Sequence, residues 1–228
     1  MIKNNSFKPR IIARLDMRGE YLIKGIYYEG LRKLGRPENF ANRYYNQGVD
    51  ELVCIDGVAS LFNRKISYEV IKKISKNAFI PLTVGGGLNN LKDVEKCFLA
   101  GCDRVTINTG LIKNLKLASQ IVKNFGSQAL QASIQVKKIN NDWYVFYEAG
   151  RENSLLKVKD YALALESEGV GEILLTSVDK DGTLKGFDFE LIEEVRDLLN
   201  IPVIFSGGYS NTKDLKTILK NGFISGIA

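Results

Sequence analysis

Two glycine clusters and a lone aspartate are the residues of this chain best suited to chemistry. VGGG at 84–87 and SGG at 206–208 each follow a short apolar run and precede an amphipathic stretch. Glycines between a strand and a helix let backbone N–H groups come close to an anion, and the helix N-terminus adds partial positive charge. Gly86, Gly87, Gly207 and Gly208 are therefore candidate phosphate contacts, with Asn108 and Thr109 of INTG supplying an amide and a hydroxyl beside the first cluster. Two such cups imply a long substrate phosphorylated at both ends; plain tight turns would use the same glycines. Asp16, in ARLDMRG, ends an apolar run and is a candidate general acid or base, or else a loop cap. Asp181, beside a glycine in SVDKDGT, either orients a substrate hydroxyl or caps a turn. Lys24, in YLIKG, is a candidate phosphate or carboxylate contact or a solvated lysine.

Composition narrows what these groups can do. The 228 residues include no histidine, which removes Ser-His-Asp and Cys-His nucleophiles and any His-bearing metal site. Cys54, Cys97 and Cys102 are too few and too irregular for a disulfide framework or a four-cysteine zinc site. Lys and Arg number 32 against 26 acidic residues, a net charge of +6. The lysines are scattered rather than clustered, which favours phosphorylated small molecules or an acidic partner surface over nucleic acid. The first ten residues lack the apolar core of a signal peptide, and no run reaches ~18 apolar residues. A cytoplasmic protein without a membrane partner is expected.

The elements that must position these residues follow from periodicity. Apolar runs at 10–15, 51–55, 81–84, 104–107, 129–134, 172–175, 202–205 and 224–227 read as strands. Amphipathic stretches at 64–77, 91–100, 115–125, 158–168, 189–199 and 212–221 read as helices. Continuously apolar strands alternating with helices specify a parallel sheet covered by helices, and eight of them predict a (β/α)8 TIM barrel, in the α/β class. GVDELVCID from Gly48 matches GVGEILLTS from Gly169, and PLTVGGG from Pro81 matches PVIFSGG from Pro202, both at an offset of 121. The chain thus reads as one domain over 1–228, built of half-barrels near 1–107 and 124–228. The aromatic stretch 143–147 is expected to form an extra hairpin strand after strand five. The segment 17–36, with Gly19, Gly25, Gly30 and Gly35, is longer than the usual connection and suggests a mobile lid.

Two consequences of the repeat concern charge. Arg10, Glu51, Arg104 and Glu172 open four strands at the end opposite the glycine cups, where they can close a salt-bridge ring; physics alone leans toward a structural role there. Gln135 stands 119 residues after Asp16, where the symmetry would place a second carboxylate. An amide cannot shuttle a proton, so a matched acid–base pair is absent.

Taken together, RIIARLDMRG…KG, DELVCID, IPLTVGGG, DRVTINTG, FGSQAL, GEILLTSVDKDGT and IPVIFSGG resemble the cyclase subunit of imidazole glycerol phosphate synthase, collinearly over almost the whole chain. The resemblance implies a lyase/synthase without cofactor or metal, taking ammonia from a glutaminase subunit docked on the N-terminal face of the barrel. The ammonia would react with a bis-phosphorylated ribulosyl aminoimidazole carboxamide to give imidazole glycerol phosphate and aminoimidazole carboxamide ribonucleotide, in histidine biosynthesis. It implies that Asp16 is one catalytic aspartate, that Gly87, Asn108 and Thr109 form one phosphate cup, and that Asp181, Gly182 and Gly208 form part of the other. Lys24 matches a flexible-loop lysine. Arg10, Glu51, Arg104 and Glu172 match a ring that gates ammonia, with Arg104 where a lysine is usual, and Asp103 matches an acidic contact for the glutaminase. Gln135 departs from the pattern, since the family has its second catalytic aspartate there. That departure also resembles paralogues that channel ammonia for amidination of bacterial surface sugars. The related phosphoribosyl isomerase, which acts without a partner, fits the strand-two and strand-six stretches less well. The family carries a further short helix and a final helix beyond the position of Ala228, so the barrel is expected to lack its last helix here.

Overall fold

The computed structural model describes residues 8–220 and 223–228. The chain opens with β1 (Arg10–Arg18), β2 (Tyr21–Ile26) and β3 (Glu29–Gly35), then α1 (Pro37–Asn46), β4 (Glu51–Asp56), α2 (Tyr68–Ser75), β5 (Leu82–Gly85), α3 (Leu91–Leu99) and β6 (Arg104–Ile107). It continues through α4 (Thr109–Lys113), α5 (Lys116–Phe125), β7 (Leu130–Ile139), β8 (Asp142–Tyr147), β9 (Glu152–Lys157) and α6 (Val158–Ser167). The last elements are β10 (Glu172–Ser177), α7 (Phe189–Val195), β11 (Val203–Ser206), α8 (Thr212–Lys220) and β12 (Gly226–Ile227). Strands β1, β4, β5, β6, β7, β10, β11 and β12 pair in parallel in that order, and β12 pairs with β1 to close the ring. This is a (β/α)8 TIM barrel.

The barrel strands form because both of their faces are buried. Along β1, Leu15 and Met17 point outward into the cluster shared with the helices, whereas Ile12 points inward. Ile12, Val53, Leu174 and Ile204 meet inside the barrel as a separate apolar group. Full burial of such a side chain contributes about 1.5–3 kcal/mol. The covering helices start at side-chain caps. Ser67 accepts from the Val70 N–H, Asn90 from that of Asp93 and Asp188 from that of Leu191. Each cap satisfies a helix N–H that would otherwise lack a partner. The two halves repeat in length as well as sequence: β4 and β10 have six residues each, β5 and β11 four each.

The structure differs from the sequence reading in its excursions. The glycine-rich segment after β1, expected as a long connection, forms strands: β1 runs on to Arg18 and pairs antiparallel with β2, which pairs with β3. The aromatic stretch is β8, as expected, but it belongs to a three-stranded meander in which β7 extends to Ile139 and β9 is a further strand. Helix α1 adds an element absent from the sequence reading, and α7 stops at Val195, before the expected end at 199. The expected last residue of α8, Asn221, lies outside the described residues. No helix among them is long and apolar enough to cross a membrane.

All three cysteines are buried and unpaired. Burial pushes the thiols of Cys54 and Cys97 up to about 12 and raises that of Cys102 as well. A thiol reagent at pH 8 is therefore expected to modify the native protein more than about a hundredfold more slowly than the urea-unfolded chain, because only the thiolate reacts. Equal rates in both states would contradict the burial.

Candidate functional site

At the N-terminal end of the barrel the four charged strand openers meet. Arg10 donates to Glu51 at 2.6 Å and forms a short ion pair with Glu172. Arg104 donates to Glu172 at 2.5 Å and lies 3.9 Å from the second oxygen of Glu51, so the ring closes. Gln131, fully buried on β7, adds a hydrogen bond to Glu172 at 2.9 Å. The second oxygen of Glu51 has no hydrogen-bond partner among the described residues. Asp103, the expected partner contact, accepts from the Leu82 N–H at 2.8 Å and so ties β5 to β6 at this end.

The barrel interior between this ring and the opposite end has two unlike sides. One is the apolar group of Ile12, Val53, Leu174 and Ile204. The other, on β5 to β7, carries buried Thr83, Thr106, Gln131 and Ser133, with Thr106 and Gln131 opposite each other in register.

At the C-terminal mouth the structure brings Asp16, Gln135, Lys24 and Asp181 around one small cavity. Its centre is a residue the sequence reading missed. Arg14 lies two positions before Asp16 on β1 and so points into the same interior. It donates to Asp16 at 2.9 Å, to Thr176 at 3.2 Å, to Ser206 at 3.1 Å and to the Tyr28 hydroxyl at 2.8 Å. Burial alone would press the guanidinium toward losing its proton. Asp16 first, then Tyr28 and Asp181, outweigh this and hold it charged well above the ordinary arginine range. Burial likewise raises the Tyr28 phenol, although Arg14 pulls it the other way. Burial raises the Asp181 carboxyl too, opposed by Arg14 and Lys24 and reinforced by Asp16. A strand with arginine and aspartate at i and i+2 was the available signal, since period two puts both on one face.

At the first glycine cluster the neighbouring amide is already engaged. Gly87 has a φ of 67°, and a side chain there would strike the Arg64 carbonyl at 1.9 Å. Gly86, Gly87 and Thr109 line a cavity with Ser60, Ser133 and Gln135. Asn108 faces the same cavity, yet donates both its amide hydrogens, to the carbonyls of Ser133 and Phe146 at 3.0 and 3.2 Å. Its side chain therefore fixes β6 against β7 and β8. The Thr109 hydroxyl accepts from the Glu148 N–H at 3.2 Å.

The second cup, at the ends of β10 and β11, is lined by Gly182, Gly207, Gly208 and Ser206 together with two cations, Arg14 and Lys24. Lys24 approaches Asp181 at 3.7 Å from the β2–β3 hairpin. The hairpin backbone is tight against this loop: Tyr27 donates its N–H to the Asp181 carbonyl at 3.0 Å. Gly182, at φ 73°, leaves so little room that a side chain would meet the Gly25 carbonyl at 2.3 Å. Gln135 lines the central and first cavities, and its Oε1 has no partner among the described residues.

Residues 10–228 match the histidine biosynthesis protein family. The chain is 47% identical over 206 residues to imidazole glycerol phosphate synthase subunit HisF of Legionella pneumophila, covering 90% of this chain and 97% of that protein. It is 41% identical over 211 residues to the subunit of the same name from Sulfurisphaera tokodaii, covering 92% and 85%. With that of Helicobacter hepaticus it shares 39% over 224 residues, covering 98% and 89%.

Proposed function

The chain belongs to the histidine biosynthesis protein family, and from that premise we propose that it is the cyclase subunit of a glutamine-dependent imidazole glycerol phosphate synthase. In this reading it acts in the cytoplasm as one barrel domain of two half-barrels, taking ammonia from a glutaminase subunit docked at the N-terminal end. The observation that carries the reading is the closed ring of Arg10, Glu51, Arg104 and Glu172 at one end of a barrel whose other end holds two glycine cups. Four interlocked charges leave little room for a hydrated cation to pass, while a small neutral molecule such as ammonia needs only a brief displacement of one side chain. The cups are spaced on opposite sides of the mouth, which suits a bis-phosphorylated ribulosyl aminoimidazole carboxamide. Gly86, Gly87 and Thr109 would hold one phosphate and Gly182, Gly207 and Gly208 the other, with Lys24 over the second. Asp16 would accept or donate the proton on its side of the reacting centre.

A second reading is favoured by two residues. Gln135 cannot move a proton, and Asp16 is held by Arg14 at 2.9 Å. A barrel with these features still suits delivery of ammonia to another protein that amidinates a bacterial surface sugar. Purified chain, assayed with the bis-phosphorylated substrate and ammonium salts, separates the two. Turnover within tenfold of an aspartate-bearing relative supports the cyclase, and no turnover together with capture of a glutaminase-type partner supports the conduit. Failure to bind any glutaminase-type partner sinks both and leaves a partner-free phosphoribosyl isomerase.

A further inference from the structure

The second cup contains a cation that its glycines do not announce. Arg14 forms part of the wall beside Gly207, Gly208 and Lys24, and only 9% of its side chain is exposed. A guanidinium carries five N–H groups. Arg14 donates one from Nε to Asp16, two from Nη1 to Thr176 and Ser206, and one from Nη2 to the Tyr28 hydroxyl. The fifth, on Nη2, has no acceptor among the described residues. The four bonds reach β1, β10, β11 and the β2–β3 hairpin, so the group is fixed in advance and has little freedom left to lose on binding. The cup measures about 220 Å³, enough for a phosphate group. Its other cation, Lys24, is exposed, whereas the charge of Arg14 acts from the interior, where it is screened less.

A carboxyl group faces the same cup. Asp181 is 6% exposed, and the charged groups around it are Arg14 and Asp16 of β1 and Lys24 of β2, with the phenols of Tyr28 and Tyr209 completing the wall. Two cations and two carboxylates cancel, so a dianion entering the cup leaves negative charge without compensation. Asp181 is the group that can relieve it. Asp16 is ion-paired with Arg14 at 2.9 Å, whereas Asp181 has Lys24 at 3.7 Å. Burial already raises the Asp181 carboxyl, and a nearby anion acts in the same direction.

We propose that Arg14 is a direct phosphate ligand of the second cup, through its fifth N–H, and that Asp181 takes up a proton as the anion enters. All four existing bonds of Arg14 are kept, so the hairpin and Lys24 stay where they are. The proton comes from solvent and binds a carboxylate oxygen of Asp181; no other covalent bond changes. A neutral molecule of the same shape gains neither the charge of Arg14 nor the proton. This rests on reading Gly182, Gly207 and Gly208 as a phosphate cup, and it adds a ligand and a proton that the glycines do not supply.

Inorganic phosphate is the first probe, titrated while NMR follows the amide signals of Gly182, Gly207 and Gly208 and the side-chain nitrogens of Arg14. The Arg14 Nη2 signal is expected to shift along the same saturation curve as the glycine amides. Arg14→Lys keeps the charge but loses the planar fork, and it is expected to weaken phosphate about tenfold, the worth of one hydrogen bond to a charged group. Arg14→Met is expected to weaken it further, with circular dichroism to verify that each variant folds. Sulfate, whose own charge is constant over this range, is the second probe. Its affinity for the wild type is expected to be greatest while Asp181 is protonated and to fall about threefold or more from pH 5 to pH 7. In Asp181→Asn it is expected to stay constant with pH. Glycine shifts with an unmoved Arg14 signal, or equal affinity in Arg14→Lys, overturn the role of Arg14 and leave the cup standing. Sulfate affinity independent of pH in the wild type overturns the proton uptake. Glycine amides that respond to neither anion overturn the cup itself.

Discussion

Replacing Gln135 with aspartate is expected to raise ammonium-dependent turnover of the bis-phosphorylated substrate about a hundredfold. Gln135 lies on β7 opposite Thr176 in register and faces both the central cavity and the first cup. Asp16 occupies the corresponding position on β1, so the new carboxylate supplies the acid–base group missing from the far side of the mouth. A positioned acid or base contributes about 10²–10⁴ in rate. The lower end applies here, because Arg14 keeps Asp16 ion-paired and only one of the two carboxylates is free of a cation. The measurement is single-substrate kinetics at saturating ammonium salts, with circular dichroism to verify the fold. Asp16→Asn in the same background is expected to remove the gain. A rate within threefold of the parent chain would show that something other than the missing carboxylate limits the chemistry.

The largest stability effect is expected at the other end of the barrel. Glu172 has a side chain 4% exposed and is bonded to Arg10, Arg104 and Gln131. Glu172→Ala leaves two partly buried guanidinium groups and a buried amide without their shared acceptor. Breaking a buried ion pair by removing one partner costs about 3–5 kcal/mol. For a domain of this size that lowers Tm by about 10 °C. Glu51→Ala is expected to cost clearly less, since one of its oxygens has no hydrogen-bond partner among the described residues and both arginines keep Glu172. Thermal unfolding of the two variants checks the order. Equal losses would mean that the ring is held by charge count rather than by the bonds seen at Glu172.

The eight barrel strands were legible because a strand buried on both faces is largely apolar, and such runs stand out between amphipathic helices. The excursions were not, for the same physical reason. β3 is exposed at most positions, so EGLRKLG carries no core pattern, and ENSLLK of β9 is likewise mostly exposed. Helix α1 buries only Pro37 and Ala41, too little to mark a face. In the site, Asp16 and Gln135 meet at one cavity as their places near the C-terminal ends of barrel strands require, and Lys24 reaches it from the β2–β3 hairpin. Arg14 escaped because an arginine inside a strand reads as an interruption until its face is considered together with that of Asp16. The charged ring shows the limit of residue type alone. Four strand openers announce a closed network, but their chemistry does not distinguish a brace from a gate.

The way the barrel closes also orders the events of folding. The β1–β2–β3 and β7–β8–β9 meanders pair neighbours in sequence and form with little loop-closure entropy, so they belong to the early, local part of the process. Closure is the reverse case. The Arg10 side chain reaches the Ser225 carbonyl across 215 positions, and β12 contributes only two residues between β11 and β1. Among the described residues this seam joins the positions farthest apart in sequence, and it uses the shortest strand of the sheet. The entropy of closing so long a loop makes this seam an expected late step of refolding, before which the edges of β1 and β11 lack their partner. An unpaired strand edge can pair with another chain, so aggregation during refolding is expected to rise with protein concentration and to be worse in variants that weaken the seam.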